Sequence, residues 1–181
     1  MMRAFVAILP PPEVREALSR AARSLPVIGV RWVRPENIHL TLKFLGEISE
    51  EQAPQIASAL AQVARLRRPF RIEPEGLGAF PSPERARVLW AGVGEGSASL
   101  EELAAAVEEA LFPLGFGREQ RPFRAHLTLG RARGRPARLE AGRLDPGIPG
   151  FTAGSLHLMR SAQGPSGVYY ESLAEHPFSE R

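Results

Sequence analysis

The 181-residue chain has no cysteine, a single lysine among its 23 basic residues, and no long hydrophobic run. The lack of cysteine excludes disulfides, thiolate nucleophiles and cysteine-ligated metal sites. No stretch approaches the roughly 20 apolar residues that a membrane helix needs, so we expect no membrane partner. The short apolar start of the chain stops at Pro10 and has no cleavage site typical of a signal peptide. We therefore expect a cytoplasmic protein.

Motifs of several common enzyme classes are also missing. The sequence has no Gly-x-Ser-x-Gly elbow of a serine hydrolase and no Gly-x-x-x-x-Gly-Lys loop of a nucleotide triphosphatase. Its histidines lack the spacing of zinc-binding helices, and no carboxylate lies within the histidine motifs described below. The sequence therefore predicts no metal and no other cofactor.

Positive charge is concentrated in one part of the chain. The net charge is only +3, but the segment from Arg118 to Arg143 contains eight arginines against Glu119 and Glu140. Such a local excess favours a phosphate-bearing partner, although a solvated basic surface would have the same composition.

The chain contains an internal repeat. The tetrapeptide His39-Leu-Thr-Leu recurs at His126, and an Arg-Pro pair precedes each histidine at the same offset, at Arg34 and Arg121. A strand-like run and then an amphipathic helix precede each motif. We therefore predict one domain over residues 1–181, with duplicated strand–helix–strand units at about 3–46 and 86–132.

These elements predict an α+β fold with two lobes. Each lobe has an antiparallel sheet with flanking helices, an internal pseudo-twofold relates the lobes, and the active-site cleft lies between them. A capping box at Ser49 predicts a further helix over about 51–66, and another at Ser99 predicts where the helix of the second unit begins. The segment from Gly134 to Gly150 is predicted to be a loop with one short helix, and the last two strands near 151–159 and 168–174.

Strand periodicity predicts the direction of the motif side chains. Because alternate residues share a face, His39, Thr41 and Lys43 should face the cleft, as should His126 and Thr128. The motif leucines and Phe44 should then lie in the core. Arg131 is an odd number of residues from His126, so it reaches the cleft only if a bulge or the strand end redirects it.

Two histidines that face one phosphodiester suffice for acid–base chemistry. A neutral imidazole takes a proton from the attacking water, and a protonated one donates to the leaving oxygen. Thr41 and Thr128 are candidates to hold the non-bridging phosphate oxygens through their hydroxyls.

In these surroundings the two motifs resemble the 2H phosphoesterase superfamily. Within it, the chain is similar to the bacterial and archaeal RNA 2′,3′-cyclic phosphodiesterases, also called 2′-5′ RNA ligases. The resemblance covers nearly the whole chain and is carried by the segments Arg3–Leu9, His39–Glu47, Arg87–Val93 and Phe123–Arg131, and by Ser161, Gly167 and Tyr170.

The resemblance implies an activity and a set of site residues. The activity is metal-independent hydrolysis of RNA 2′,3′-cyclic phosphate ends to 2′-phosphomonoesters, together with 2′-5′ joining of certain RNA ends. It implies that His39 donates a proton to the 3′-oxygen and that His126 accepts one from water. Arg131 matches a family arginine that lines the site, and Lys43 is a further candidate for phosphate contact. The implied partners are RNA ends or nucleoside 2′,3′-cyclic phosphates, bound by a monomer.

Two alternatives stay open. A non-catalytic module that binds RNA ends would need the arginines and threonines, but it would have no reason to place a second histidine symmetrically. A metal-dependent hydrolase would lose its activity on prolonged chelation.

Overall fold

The structure is a computed structural model that describes residues 1–140 and 147–180. The helices are α1 (Pro12–Arg23), α2 (Gln52–Arg65) and α3 (Ser97–Leu111). The strands within the described ranges are β1 (Met2–Ile8), β2 (Val30–Trp32), β3 (Leu40–Ile48), β4 (Phe70–Ile72), β5 (Pro74–Phe80), β6 (Val88–Val93), β7 (His126–Ala132), β8 (Phe151–Ala153), β9 (Ser155–Gly164) and β10 (Gly167–Pro177).

Two four-stranded antiparallel sheets form the framework. One has the order β10-β9-β1-β3 and the other the order β2-β7-β6-β5, while β4 and β8 form a small separate pair. The predicted α+β fold with two antiparallel sheets and flanking helices is confirmed. In each large sheet a motif strand pairs with the strand that precedes a helix, β3 with β1 and β7 with β6. This matched topology agrees with duplicated units, whose boundaries stay a prediction.

One apolar core joins the sheets and the helices. It contains Leu18 of α1, Leu60 of α2 and Leu103 of α3, and it includes Leu40 and Leu127 from the two motif strands. The motif leucines are therefore buried, as their alternation with His and Thr predicts. Their burial fixes which face of each strand is left for the histidines.

Local signals explain where two of the helices begin. Ser49 and Gln52 exchange backbone-to-side-chain hydrogen bonds of 2.9 and 3.3 Å ahead of α2, so the predicted capping box is confirmed. The predicted start of α3 at Ser99 is wrong. Gly96 adopts φ 93° and its carbonyl accepts from the Leu100 N–H, so the helix starts earlier, at Ser97.

Two further predictions differ from the structure near the C-terminal end. The strand predicted over 151–159 is divided at Gly154, because β8 pairs with β4 whereas β9 pairs with β1. No helix forms in the described parts of the predicted loop, residues 134–140 and 147–150, and Ala137 instead bridges to Ala86. Residues 141–146, including Arg143, lie outside the described part of the chain.

Candidate active site

The two motifs line a single cavity of about 610 Å³. Its lining includes both motif histidines, both motif threonines and Arg131. His39 lies directly before β3 and His126 is the first residue of β7, so each imidazole projects from the entry to a motif strand. The structure thus brings together four of the residues that the sequence singled out, and Arg131 with them.

The His39 ring is fixed at both nitrogens. Its Nδ1 lies 2.8 Å from the carbonyl oxygen of Asn37. A carbonyl only accepts, so Nδ1 carries the proton and donates to it. Nε2 lies 2.9 Å from the Thr41 hydroxyl oxygen, which therefore donates to Nε2 while the imidazole is neutral. The Nε2 lone pair of His39 therefore points towards the Thr41 hydroxyl, on the side of β3 that lines the cavity.

The His126 ring is held by an equivalent hydrogen bond. Its Nδ1 lies 2.7 Å from the carbonyl oxygen of Arg124, which again stands two residues before the histidine. Nδ1 must carry the proton, and Nε2 of His126 has no protein hydrogen-bond partner among the described residues. Both histidines are therefore in the tautomer that leaves Nε2 for proton exchange with a ligand.

Aromatic side chains from other strands surround each imidazole. The His39 ring lies 4.8 Å from the Phe5 ring and 5.0 Å from the Tyr170 ring, measured between centroids. The His126 ring lies 5.1 Å from Phe80 and 6.0 Å from Trp90. Sequence reasoning assigned no site role to these four aromatic residues. They come from four different strands, so strand pairing had to be known before they could be placed near the histidines.

The surroundings favour the neutral form of both imidazoles. The pKa of His39 is lowered from its ordinary 6.5 to about 4, mainly by burial and further by the positive charges of Arg15, His126 and Arg131, against the opposing Asn37 carbonyl. The pKa of His126 is also lowered, first by burial and then by Arg131 and Arg124, although the Arg124 carbonyl opposes the shift. A bound phosphate would reverse part of this effect, because an anion favours the imidazolium.

Arg131 reaches the cavity because β7 contains a bulge. Trp90 pairs with Thr128 and Leu89 pairs with Gly130, so Leu129 has no partner on β6. This extra residue reverses the alternation, and Arg131 returns to the side of His126 and Thr128. The bulge is the deviation that the sequence analysis required for Arg131 to face the cleft.

A second bulge, at the equivalent position of β3, contradicts two predictions. Ala7 pairs with Thr41 and Val6 with Lys43, so Leu42 is the unpaired residue and the side chains beyond it change sides. Phe44 is 71% exposed and lines the cavity, so its predicted place in the core is wrong. The predicted cleft-facing direction of Lys43 is also wrong, because its side chain is only 7% exposed and turns towards α3.

Lys43 links the first motif strand to the segment that leads to the second motif. Its ammonium donates to Glu108 Oε1 at 2.8 Å and to the carbonyl oxygen of Gly117 at 2.7 Å. The other carboxylate oxygen of Glu108 accepts from the Glu119 N–H at 3.2 Å. The Lys43–Glu108 pair therefore holds the backbone at residues 117–119, shortly before Arg121 and His126.

The Arg-Pro pair of the first motif has a structural role. The Arg34 guanidinium and the Asn37 side-chain amide both donate to the Val168 carbonyl oxygen, at 2.9 and 3.0 Å. These bonds fix the turn before His39 to β10, and the backbone of Asn37 in turn holds the imidazole. Arg121, the corresponding residue of the second motif, is instead exposed on a neighbouring cavity.

The described residues contain neither a metal-binding cluster nor a membrane-spanning helix. Among residues 1–140 and 147–180, no group of three or more His, Cys, Asp or Glu side chains is arranged to hold a metal ion. In the same ranges, none of the helices has both the length and the apolar character needed to cross a membrane.

Comparison with known proteins identifies relatives over most of the chain. A family model for LigT-like phosphoesterases matches residues 8–90. An RNA 2′,3′-cyclic phosphodiesterase of Archaeoglobus fulgidus is 45% identical over 133 residues, which are 73% of each chain. One from Aeropyrum pernix is 40% identical over 87% of this chain and 93% of its own.

Solved structures share the fold. A crystal structure from Thermus thermophilus superposes with a TM-score of 0.81, at 30% identity and 98% coverage of both chains. E. coli LigT complexed with 3′-AMP superposes with a TM-score of 0.84, at 25% identity and 98% coverage of both chains. By sequence, topology and the pairing of its two histidine motifs, the chain belongs to the LigT-like phosphoesterases of the 2H family.

Proposed function

We propose that this protein hydrolyses RNA 2′,3′-cyclic phosphate ends to 2′-phosphomonoesters with two histidines and no metal. The observation that carries the proposal is the shared cavity, in which His39 and His126 both have Nδ1 bonded to a backbone carbonyl, so that each presents Nε2 to the cavity side of its strand, that of His39 beside the Thr41 hydroxyl. The names of the relatives from Archaeoglobus fulgidus and Aeropyrum pernix support the substrate class. E. coli LigT complexed with 3′-AMP and with phosphate supports a nucleotide phosphate as ligand.

The reaction is a single displacement at phosphorus. Nε2 of His126 takes a proton from water as the water oxygen attacks the phosphorus. The bond from phosphorus to the 3′-oxygen breaks, and protonated Nε2 of His39 donates its proton to that oxygen. The product carries a 2′-phosphate and a free 3′-hydroxyl. The order of the two histidines follows the family resemblance.

Three further side chains stabilise charge on the phosphate. Once His39 is protonated, its Nε2 no longer accepts from Thr41, so the hydroxyls of Thr41 and Thr128 both donate to the non-bridging oxygens. The Arg131 guanidinium binds the same oxygens with charge-assisted hydrogen bonds. Since both histidines are mostly neutral in the free protein, the bound anion also helps to protonate His39. Lys43 has no part in the proposal, because Glu108 and the Gly117 carbonyl already occupy its ammonium.

Ligation uses the same site with a different nucleophile. A 5′-hydroxyl of a second RNA end replaces water, so the product is a 2′-5′ phosphodiester and the proton transfers are unchanged. The reverse reaction then cleaves that linkage by the same two histidines. We infer that the protein acts as a cytoplasmic monomer, and that exposed arginines between Arg118 and Arg138 assist RNA binding by charge.

The direct test is hydrolysis of a nucleoside 2′,3′-cyclic phosphate by protein dialysed against EDTA. We expect full activity and a 2′-phosphate as the only product. A 3′-phosphate product would contradict the proton assignments. Activity that is lost in EDTA and restored by a divalent ion would support a metal-dependent hydrolase, and binding without turnover would support a module that only binds RNA ends.

A further inference from the structure

A second cavity, of about 1070 Å³, adjoins the catalytic one. The residues that line both cavities are Thr41, Phe44, Phe80, Val88 and His126. The two spaces therefore meet beside the His126 imidazole, where the proposed reaction takes place. Ligand sites commonly have volumes of about 300–1,000 Å³, so the two cavities together exceed the needs of a single nucleotide.

Arg124 lies over Trp90 in this second cavity, and its guanidinium is called the platform below. The carbon of its guanidinium lies 5.3 Å from the centroid of the Trp90 ring. Trp90 is only 9% exposed, whereas Arg124 is exposed, so the guanidinium is the more accessible of the two groups, and both line the cavity. Arginine guanidinium planes stack on aromatic rings and on nucleobases alike.

The Trp90 ring beneath this platform is held in place. It lies 5.1 Å from the Phe80 ring and 6.0 Å from the His126 ring, measured between centroids. A Cβ added at Gly78 would overlap the indole, so the glycine makes the room that the ring fills. A platform on a fixed ring beside a catalytic histidine is well suited to order a planar ligand group.

We propose that the second cavity binds the nucleotide that precedes the cyclic-phosphate nucleotide of the RNA, with its base stacked on Arg124. This assignment rests on the proposed function. The terminal nucleoside occupies the smaller cavity, and its 5′-oxygen continues the chain past His126 and Phe44 into the larger one. Arg121 lines the same cavity and supplies positive charge for the connecting phosphate.

The carboxylates of the second cavity limit how much RNA it favours. Glu108 is neutralised by Lys43, but three further carboxylates line the cavity and oppose additional phosphates: Glu75, Glu101 and Glu119. One added nucleotide should therefore improve the reaction markedly, and a third nucleotide should add little.

The test compares a nucleoside 2′,3′-cyclic phosphate with a dinucleotide that ends in the same cyclic phosphate. In the wild-type protein we expect kcat/KM to be higher for the dinucleotide by about ten-fold or more, because its second base gains one stacking contact. Arg124→Ala should remove most of this preference, and Arg124→Lys should restore little of it because lysine keeps the charge without the plane. Arg65→Ala, the same change at an exposed arginine of α2, is the matched control and should keep the preference.

The ratio of the two substrates is the decisive readout. Both substrates use His126, so an altered pKa of that histidine in Arg124→Ala cancels in the ratio. Equal kcat/KM for both substrates in the wild-type protein, or an undiminished preference in Arg124→Ala, would overturn the second site. If the wild-type protein hydrolyses neither of the two substrates, the proposed function is overturned instead. Calorimetric binding of the dinucleotide 2′-phosphate product, expected to be tighter than that of the mononucleotide, tests the site without any variant.

Discussion

Phe44 and Arg131 occupy the same position after the two motif histidines, five residues beyond His39 and His126, and both line the cavity that the two histidines share. Each is turned there by an unpaired leucine at the fourth residue of its motif. The two halves thus use one backbone irregularity to present different chemistry: an aromatic ring on one side and a guanidinium on the other. This asymmetry gives an apolar surface to one side of the cavity and, in the proposed reaction, a phosphate-binding group to the other.

Replacement of Arg131 should weaken phosphate binding in the transition state. A hydrogen bond to a charged group contributes about 1.5–3 kcal/mol, so Arg131→Ala should lower kcat/KM for a nucleoside cyclic phosphate by about 10- to 150-fold. The matched control is Arg20→Ala, at an exposed arginine of α1, which should keep wild-type kinetics. Equal loss in both variants would show that only net charge matters and would remove Arg131 from the site.

Replacement of Phe44 separates an exposed position from a core position. In the core, Phe→Ala would cost about 3–5 kcal/mol of unfolding free energy. At 71% exposure we expect a change within about 0.5 kcal/mol in urea unfolding. Phe151→Ala, at a buried phenylalanine, is the control and should show the large loss. A large loss for Phe44→Ala as well would contradict the bulge at Leu42.

Replacement of Lys43 should affect stability more than substrate binding. Removal of one partner of a buried ion pair costs about 3–5 kcal/mol, so Lys43→Met should unfold at a much lower urea concentration. The double variant Lys43→Met with Glu108→Leu should recover part of the loss, because no buried charge is then left unpaired. A Lys43→Met protein with wild-type stability but a greatly raised KM would show instead that Lys43 contacts the substrate.

The lowered pKa of His39 predicts loss of stability in acid. The folded pKa is about 4 and the ordinary value is 6.5, so between these values the unfolded chain binds the proton in preference to the folded one. The contribution to stability is therefore complete above the unfolded pKa and is lost as the pH falls towards the folded one. From the difference between these two pKa values we expect about 3 kcal/mol.

That contribution is measured as a difference between two proteins. The unfolding free energies of the wild-type protein and of His39→Gln should be compared at two pH values. The first, pH 7.5, lies above the unfolded pKa, and the second, pH 4, lies about 2 units or more below it. The wild-type value should fall by about 3 kcal/mol more than the variant's value. A parallel fall in both proteins would mean that His39 is not desolvated in the folded state.

Sequence periodicity placed all four residues of each motif on the correct side, and in the first motif it failed from the next residue, Lys43, onwards. His39, Thr41 and the buried Leu40 have the sides that alternation predicts. A bulge depends on the register with a neighbouring strand, β1 or β6, and that register is not encoded within the motif itself. Lys43 and Phe44 were therefore assigned to the wrong sides for one common reason.

Local signals were reliable only where nothing nearby competed with them. The Ser49 capping box lies at the start of α2. The same sequence pattern at Ser99 lies inside α3, because Gly96 is the N-cap and the helix begins at Ser97. The aromatic surroundings of the histidines depend on strands far apart in the chain, such as β1 and β10 around His39. Chemistry within a motif was thus predictable, whereas the side chains that tune it required the fold.

The central claim is that His39 and His126 form an acid–base pair, and the pH dependence of kcat/KM tests it most directly. We expect a bell-shaped profile for the wild-type protein with its maximum below pH 6.5, because burial lowers the pKa of both imidazoles in the free protein. The kcat profile should lie at higher pH, since the bound phosphate raises both pKa values. His39→Ala and His126→Ala should each lose one limb of the bell and about 10²–10⁴-fold in turnover. Near wild-type turnover in either variant would contradict the claim.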